Sequence, residues 1–89
     1  MTRDEAEIIA LGALTFLAED DRRLGAFLAQ SGWTMEELRG QVSEPQTLAG
    51  VLDFLCAHEP YLLDFREATG TRPEDVLRAR RALPGAALD

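Results

Sequence analysis

Apolar residues recur along the chain at helical spacing, and polar, proline or glycine breaks cut them into six short runs. In residues 4–18 two adjoining stripes, Ile8, Ala10, Leu11, Leu14 and Ile9, Ala13, Phe16, Leu17, follow i, i+3, i+4, i+7 spacing. Together they cover more than half the circumference, which predicts a central helix with neighbours on several sides. Asp4, Glu5 and Glu7 complement the dipole of its first turn, and Thr2 with Glu5 has the capping-box pattern. Glu19-Asp20-Asp21 then interrupts the apolar pattern. Asp21 is the predicted cap of a second helix from about Arg22 to Ser31, with Leu24, Phe27 and Leu28 inward. Gly32 is its left-handed stop, and Trp33 follows where an apolar residue folds back on a helix end. Thr34 and Glu37 form a second capping box, opening a short third helix to about Val42 with Met35, Leu38 and Val42 inward.

Pro45 suits the first turn of a fourth helix, 45–57, carrying Leu48, Val51, Leu52 and Leu55 on one stripe and Phe54 beside it. Glu59-Pro60 opens a fifth helix, with Leu62 and Phe65 inward and Gly70 as its stop after Thr69. Residues 71–75 restart the chain for a sixth, which carries Val76, Leu77 and Leu83 and ends at Pro84-Gly85. No sustained period-two alternation marks a strand. The expectation is an all-α chain.

The six runs form two related triplets. Shifted by 38 positions, Gly12 falls on Gly50, Leu14 on Leu52, Phe16 on Phe54 and Leu17 on Leu55. Without a gap, Leu24 then meets Leu62, Phe27 meets Phe65, Gly32 meets Gly70 and Glu36 meets Glu74. Shared residues at a fixed offset are the signature of a duplicated supersecondary unit. The reading is one domain over residues 1–89, with unit one at about 4–42, unit two at about 45–83 and a frayed tail at 84–89. Each unit alone is too small to fold independently. The two are therefore expected to pack face to face about a pseudo-twofold axis in one compact bundle, helices one and four at its centre.

Charge narrows the function classes. Sixteen acids against nine bases give a net charge of −7 and repel phosphate backbones and anionic lipid. All nine bases are arginine. The single cysteine, Cys56, excludes an internal disulfide or a zinc-finger framework. The acidic start does not read as a signal peptide, and no apolar run is long enough to span a membrane. These features point to the cytoplasm, with no membrane association.

Candidate chemistry is sparse. Cys56 and His58 are two apart, diverge on a helix and lack further ligands, so no metal or cofactor is expected. Cys56 falls on Ala18 in the repeat and reads as a small buried position; His58 reads as a loop or capping residue. Glu19-Asp20-Asp21 reads as a helix-capping turn, because its counterpart Ala57-His58-Glu59 keeps only one acid. No catalytic set or phosphate loop is present, so no catalytic residue is assigned and an enzyme is the third choice. Helix two, Gly32 and helix three have helix–turn–helix spacing, but Leu28 is large where a small residue is preferred. Glu36 and Glu37 would also confront phosphates, which disfavours a DNA-binding regulator.

The positions where the units disagree are more informative. Trp33 falls on Thr71, Tyr61 on Arg23 and Leu63 on Gly25. Trp and Tyr near a surface are typical interface anchors. Arg72, Arg78, Arg80 and Arg81 make the last helix the only locally basic segment. These seven residues form the candidate partner surface. Residues 13–20, 24–32, 51–55, 62–65 and 73–80, with their leucine, phenylalanine and glycine signatures, resemble a domain-of-unknown-function family of small proteins found mainly in alphaproteobacteria. That resemblance implies the all-helical fold and no catalytic or ligand-binding residue. The leading expectation is a non-enzymatic helical interaction module of the bacterial cytoplasm, binding a protein partner or itself.

Overall fold

Capping chemistry sets most helix boundaries. The structure, a computed structural model, describes residues 1–84. They form α1 (Arg3–Ala18), α2 (Asp21–Ser31), α3 (Met35–Gly40), α4 (Pro45–Ala57), α5 (Glu59–Thr69) and α6 (Pro73–Arg81). There is no strand among the described residues. Of the tail expected at 84–89, residues 85–89 lie outside the described ones. Both capping boxes form: the Thr2 hydroxyl accepts from Glu5 N–H at 3.1 Å and the Glu5 carboxylate accepts from Thr2 N–H at 2.8 Å. Thr34 and Glu37 repeat the exchange at 3.1 and 2.9 Å. Gly32 and Gly70 each end a helix at φ +78°, a conformation that costs any residue with a Cβ.

The cap of α2 falls one residue earlier than expected. α1 closes at Glu19, so Asp20 is the first residue with extended backbone, and its carboxylate accepts from Arg22 N–H at 2.8 Å and Arg23 N–H at 3.3 Å. These bonds hold the Asp20 carboxyl below the usual carboxylate range. Asp21 is already helical. Asp20→Ala should therefore lower the urea midpoint at neutral pH more than Asp21→Ala does, because only Asp20 bonds the free N–H groups of the first turn. Asp20's share is present above the unfolded carboxylate pKa and is lost as pH falls through the lower folded value. Equal losses for both variants would place the cap wrongly.

α1 and α4 make the most extensive helix–helix contact; α6 lies against both, with α2 and α5 on the flanks. The core joins Phe16, Leu17, Phe27, Leu48, Val51, Leu52, Phe54, Leu55, Phe65 and Val76 with four alanines, Ala6, Ala10, Ala13 and Ala79, all fully buried. That last group corrects the expected orientation of α1. Ile8 is 69% exposed and Leu11 45%, whereas the buried face is Ala6, Ala10, Ala13 and Leu17. Small side chains let α4 and α6 approach the α1 backbone closely, and the larger ones rotate outward. Leu77 is likewise exposed, because α6 turns Val76 and Ala79 inward. α3 ends at Gly40 and leaves Val42 partly exposed, not inward. No described helix is long and apolar enough to cross a membrane.

Candidate functional site

Four phenylalanines meet in two cross-helix pairs: Phe16 with Phe65 at 5.3 Å between ring centroids, and Phe27 with Phe54 at 5.5 Å. Trp33 and Tyr61, far apart in sequence, join the second pair from opposite ends. Trp33 meets Phe27 edge-on at 5.9 Å, and Tyr61 stacks on Phe54 at 5.6 Å. The result is one aromatic row, Trp33–Phe27–Phe54–Tyr61, running across α2, α4 and α5. Trp33 reaches the row because Gly32 turns the chain back after α2, and its N–H donates to Ser31 Oγ at 3.3 Å. Its ring then lies over α4 at Gly50, where a Cβ would stand 3.8 Å away. Trp33 and Tyr61 are both partly buried, packed on the core with one side open.

The same row carries His58. Its ring sits 4.3 Å from that of Phe54, and its Nδ1 lies 2.8 Å from the Phe54 carbonyl oxygen. A carbonyl only accepts, so this bond places a proton on Nδ1. His58 thus closes α4 and opens α5, the junction role expected of it. The position of Tyr61 has its counterpart in Arg23, whose guanidinium covers the Phe16 ring at 3.9 Å and donates to the Phe16 carbonyl at 2.9 Å.

Beside Trp33 the α2 and α4 surfaces part into an open groove of about 420 Å³, with Phe27, Trp33 and Phe54 on its apolar side and Gln30, Gln46 and Asp53 on its polar side. The sequence reading missed these three polar residues. A signal was available: Gln46, Gly50, Asp53 and Ala57 form the one stripe of polar or small residues along an otherwise apolar helix. All four line the groove. The arrangement suits a peptide, since the partly open Trp33 ring can take an apolar side chain and primary amides can both donate to and accept from a main chain.

The arginines expected at the partner surface are mostly engaged within the fold. Arg80, whose side chain is 17% exposed, pairs with Asp53 across α6 and α4 and donates to the Pro84 carbonyl. Arg72 and Arg78 both pair with Asp75, at 3.3 and 3.6 Å. Arg81 and Leu63 are exposed, Leu63 at 46%. The seven candidates therefore divide: Trp33 and Tyr61 share the aromatic row, Arg80 stands at the groove rim through Asp53, and no described contact joins the other four to it.

Cys56, expected at a small buried position, is half-buried. Burial pushes its thiol above the ordinary range, the Asp53 charge adds to this, and Arg80 opposes it. The thiolate is the nucleophile, so iodoacetamide should alkylate Cys56 several-fold more slowly than an unstructured cysteine at pH 8. The rate should climb only as pH passes the ordinary thiol range. A rate equal to that of a free thiol would contradict this environment. No three His, Cys, Asp or Glu side chains gather into a metal-binding group among the described residues. The segment with helix–turn–helix spacing ends in α3, which has six residues and exposes Glu36 and Glu37.

Comparison with curated proteins and with solved structures gives no match. A model of a protein family of unknown function, DUF3572, matches residues 3–86. The match spans all six helices, so the chain whose aromatic row and groove are described above belongs to the DUF3572 family.

Proposed function

We propose that this protein is a non-enzymatic interaction module that takes a peptide segment of a protein partner in the groove beside Trp33. The observation that carries this reading is the meeting of the one tryptophan and two phenylalanines with Gln30 and Gln46 in an open concave surface. Such a surface offers an apolar anchor point next to polar groups that fix orientation. His58 bonded to a carbonyl and a Cys56 thiol held protonated support a role without catalysis. The excess of acid favours a protein partner over nucleic acid.

The duplication read from sequence has support in the paired contacts. Phe16–Phe65 and Phe54–Phe27 are reciprocal under the offset of 38, and so are the lids Arg23 and Tyr61. On this reading Tyr61 takes a structural place that the other unit gives to arginine. Trp33 is left as the member of the row whose counterpart in the other unit, Thr71, is not aromatic.

A photo-crosslinking residue placed at Gln46, in the cell of origin, tests the proposal. A discrete protein adduct is expected, absent when Trp33→Ala is added and absent from the same probe placed at Leu63. Adducts of equal pattern from both positions, or none from Gln46, would overturn it.

A further inference from the structure

We infer that α1 is the contact helix of a weak homodimer, packed antiparallel against α1 of a second copy about a twofold axis. The surface involved lies apart from the Trp33 groove. Ile8, Leu11, Thr15 and Ala18 follow the 3-4-3 spacing of a helix–helix seam, and all four are exposed. Gly12, between the two halves of this seam, has open space where its Cβ would stand.

The seam has two unlike halves. Ile8 and Leu11, at 69% and 45% exposure, project from the N-terminal half. In the C-terminal half Thr15 and Ala18 floor an apolar groove of about 250 Å³, walled by Leu24, Met35, Leu38 and Val42. At the offset of 38, Thr15 and Val42 correspond to Asp53 and Arg80, whose ion pair fastens α6 over α4. α3 stops at Gly40 and makes only slight contact with its neighbours, and among the described residues no ion pair fastens it over α1.

A projection at one end of a helix and a recess at the other are satisfied together by an antiparallel copy of that helix. The twofold axis then sets Ile8 and Leu11 over Ala18 and Thr15 of the second copy twice, as an isologous interface requires. α1 has sixteen residues, about 24 Å of helix, and the pairing is centred at the level of residue 13, past the helix midpoint between Ala10 and Leu11. Charge follows the same polarity. Asp4 marks the projecting end, while Arg39 lines the recess, and neither has an ion-pair partner among the described residues. Glu7 is already paired with Arg3 at 3.4 Å, while the exposed Glu19 and Glu36, next in sequence to the recess residues Ala18 and Met35, oppose the arrangement. One helix seam is small for an interface, and the net charge of −7 repels a copy, so the dissociation constant should be about 10–100 μM.

Sedimentation equilibrium from low micromolar to about 1 mM protein reads this directly. The native chain should pass from monomer to dimer across that range. Ile8→Glu and Leu11→Glu should each weaken association by at least about tenfold. Their thermal melts should be unchanged, because both sites are exposed. Leu63→Glu and Leu77→Glu, at sites of comparable exposure, should leave association intact. A chain monomeric at the highest concentration, or one equally sensitive to all four variants, would overturn the proposal. Orientation is read separately in a Cys56→Ala background by mixing Ile8→Cys with Ala18→Cys under oxidised glutathione. Disulfide linking the two different variants supports the antiparallel pairing; a dominant bond between two Ile8→Cys copies overturns it.

Discussion

Phe54→Ala is expected to cost about 3–5 kcal/mol of folding stability, the range for removing a large buried ring. Phe54 is 3% exposed and is the one residue that touches three other rings, Phe27, His58 and Tyr61. Its removal opens a cavity where α2, α4 and α5 meet, and their backbones can close it only by giving up contacts elsewhere. A domain of 89 residues has about 4–13 kcal/mol in total at ~0.05–0.15 kcal/mol per residue. The variant should therefore be substantially unfolded at 37 °C, or close to it. Urea titrations followed by far-ultraviolet circular dichroism measure the loss. The emission of Trp33, two rings away through Phe27, reports whether the groove keeps its shape in the folded fraction. A loss below about 1 kcal/mol would mean that the row is not packed as described.

The features legible in the sequence are those set by contacts a few residues apart. Thr2 with Glu5, Thr34 with Glu37, Pro45, Gly32 and Gly70 all act on their own helix ends, and the bounds of α4 and the ends of α2 and α5 follow from them. Asp20 and Asp21 are chemically equivalent caps. The choice between them depends on where α1 frays, which packing decides. The aromatic row is a tertiary relation. Sequence identifies Trp33 and Tyr61 as departures from the repeat, but their meeting through Phe27 and Phe54 requires α2 and α5 to dock on the same side of α4. The arginines of α6 illustrate the converse. Their local density suggests a free basic patch, while acids at Asp53 and Asp75 draw three of the four into intramolecular pairs. Such pairs are partly exposed and contribute little each, so their main effect is to remove positive charge from the surface.

Ala10→Leu is expected to destabilise the fold by about 1–3 kcal/mol, although it makes α1 more hydrophobic. Ala10 is fully buried on the face that α1 shares with α4 and α6, and Ala79 of α6 is fully buried as well. At such a crossing the backbones approach because the side chains are small, so three added carbons have no space to occupy. The strain should fall on α6, which is fastened to α4 by Arg80 and Asp53 beside Cys56. Faster alkylation of Cys56 should therefore accompany the loss of stability. Ile8→Ala provides the contrast. It removes a larger apolar group, but from a site 69% exposed, and should change stability by no more than about 0.5 kcal/mol. Hydrophobicity alone ranks these two substitutions in the opposite order. If Ala10→Leu proved neutral and Ile8→Ala costly, α1 would be rotated about its axis relative to this structure. The recess and projection assigned to its exposed face would then fall with it.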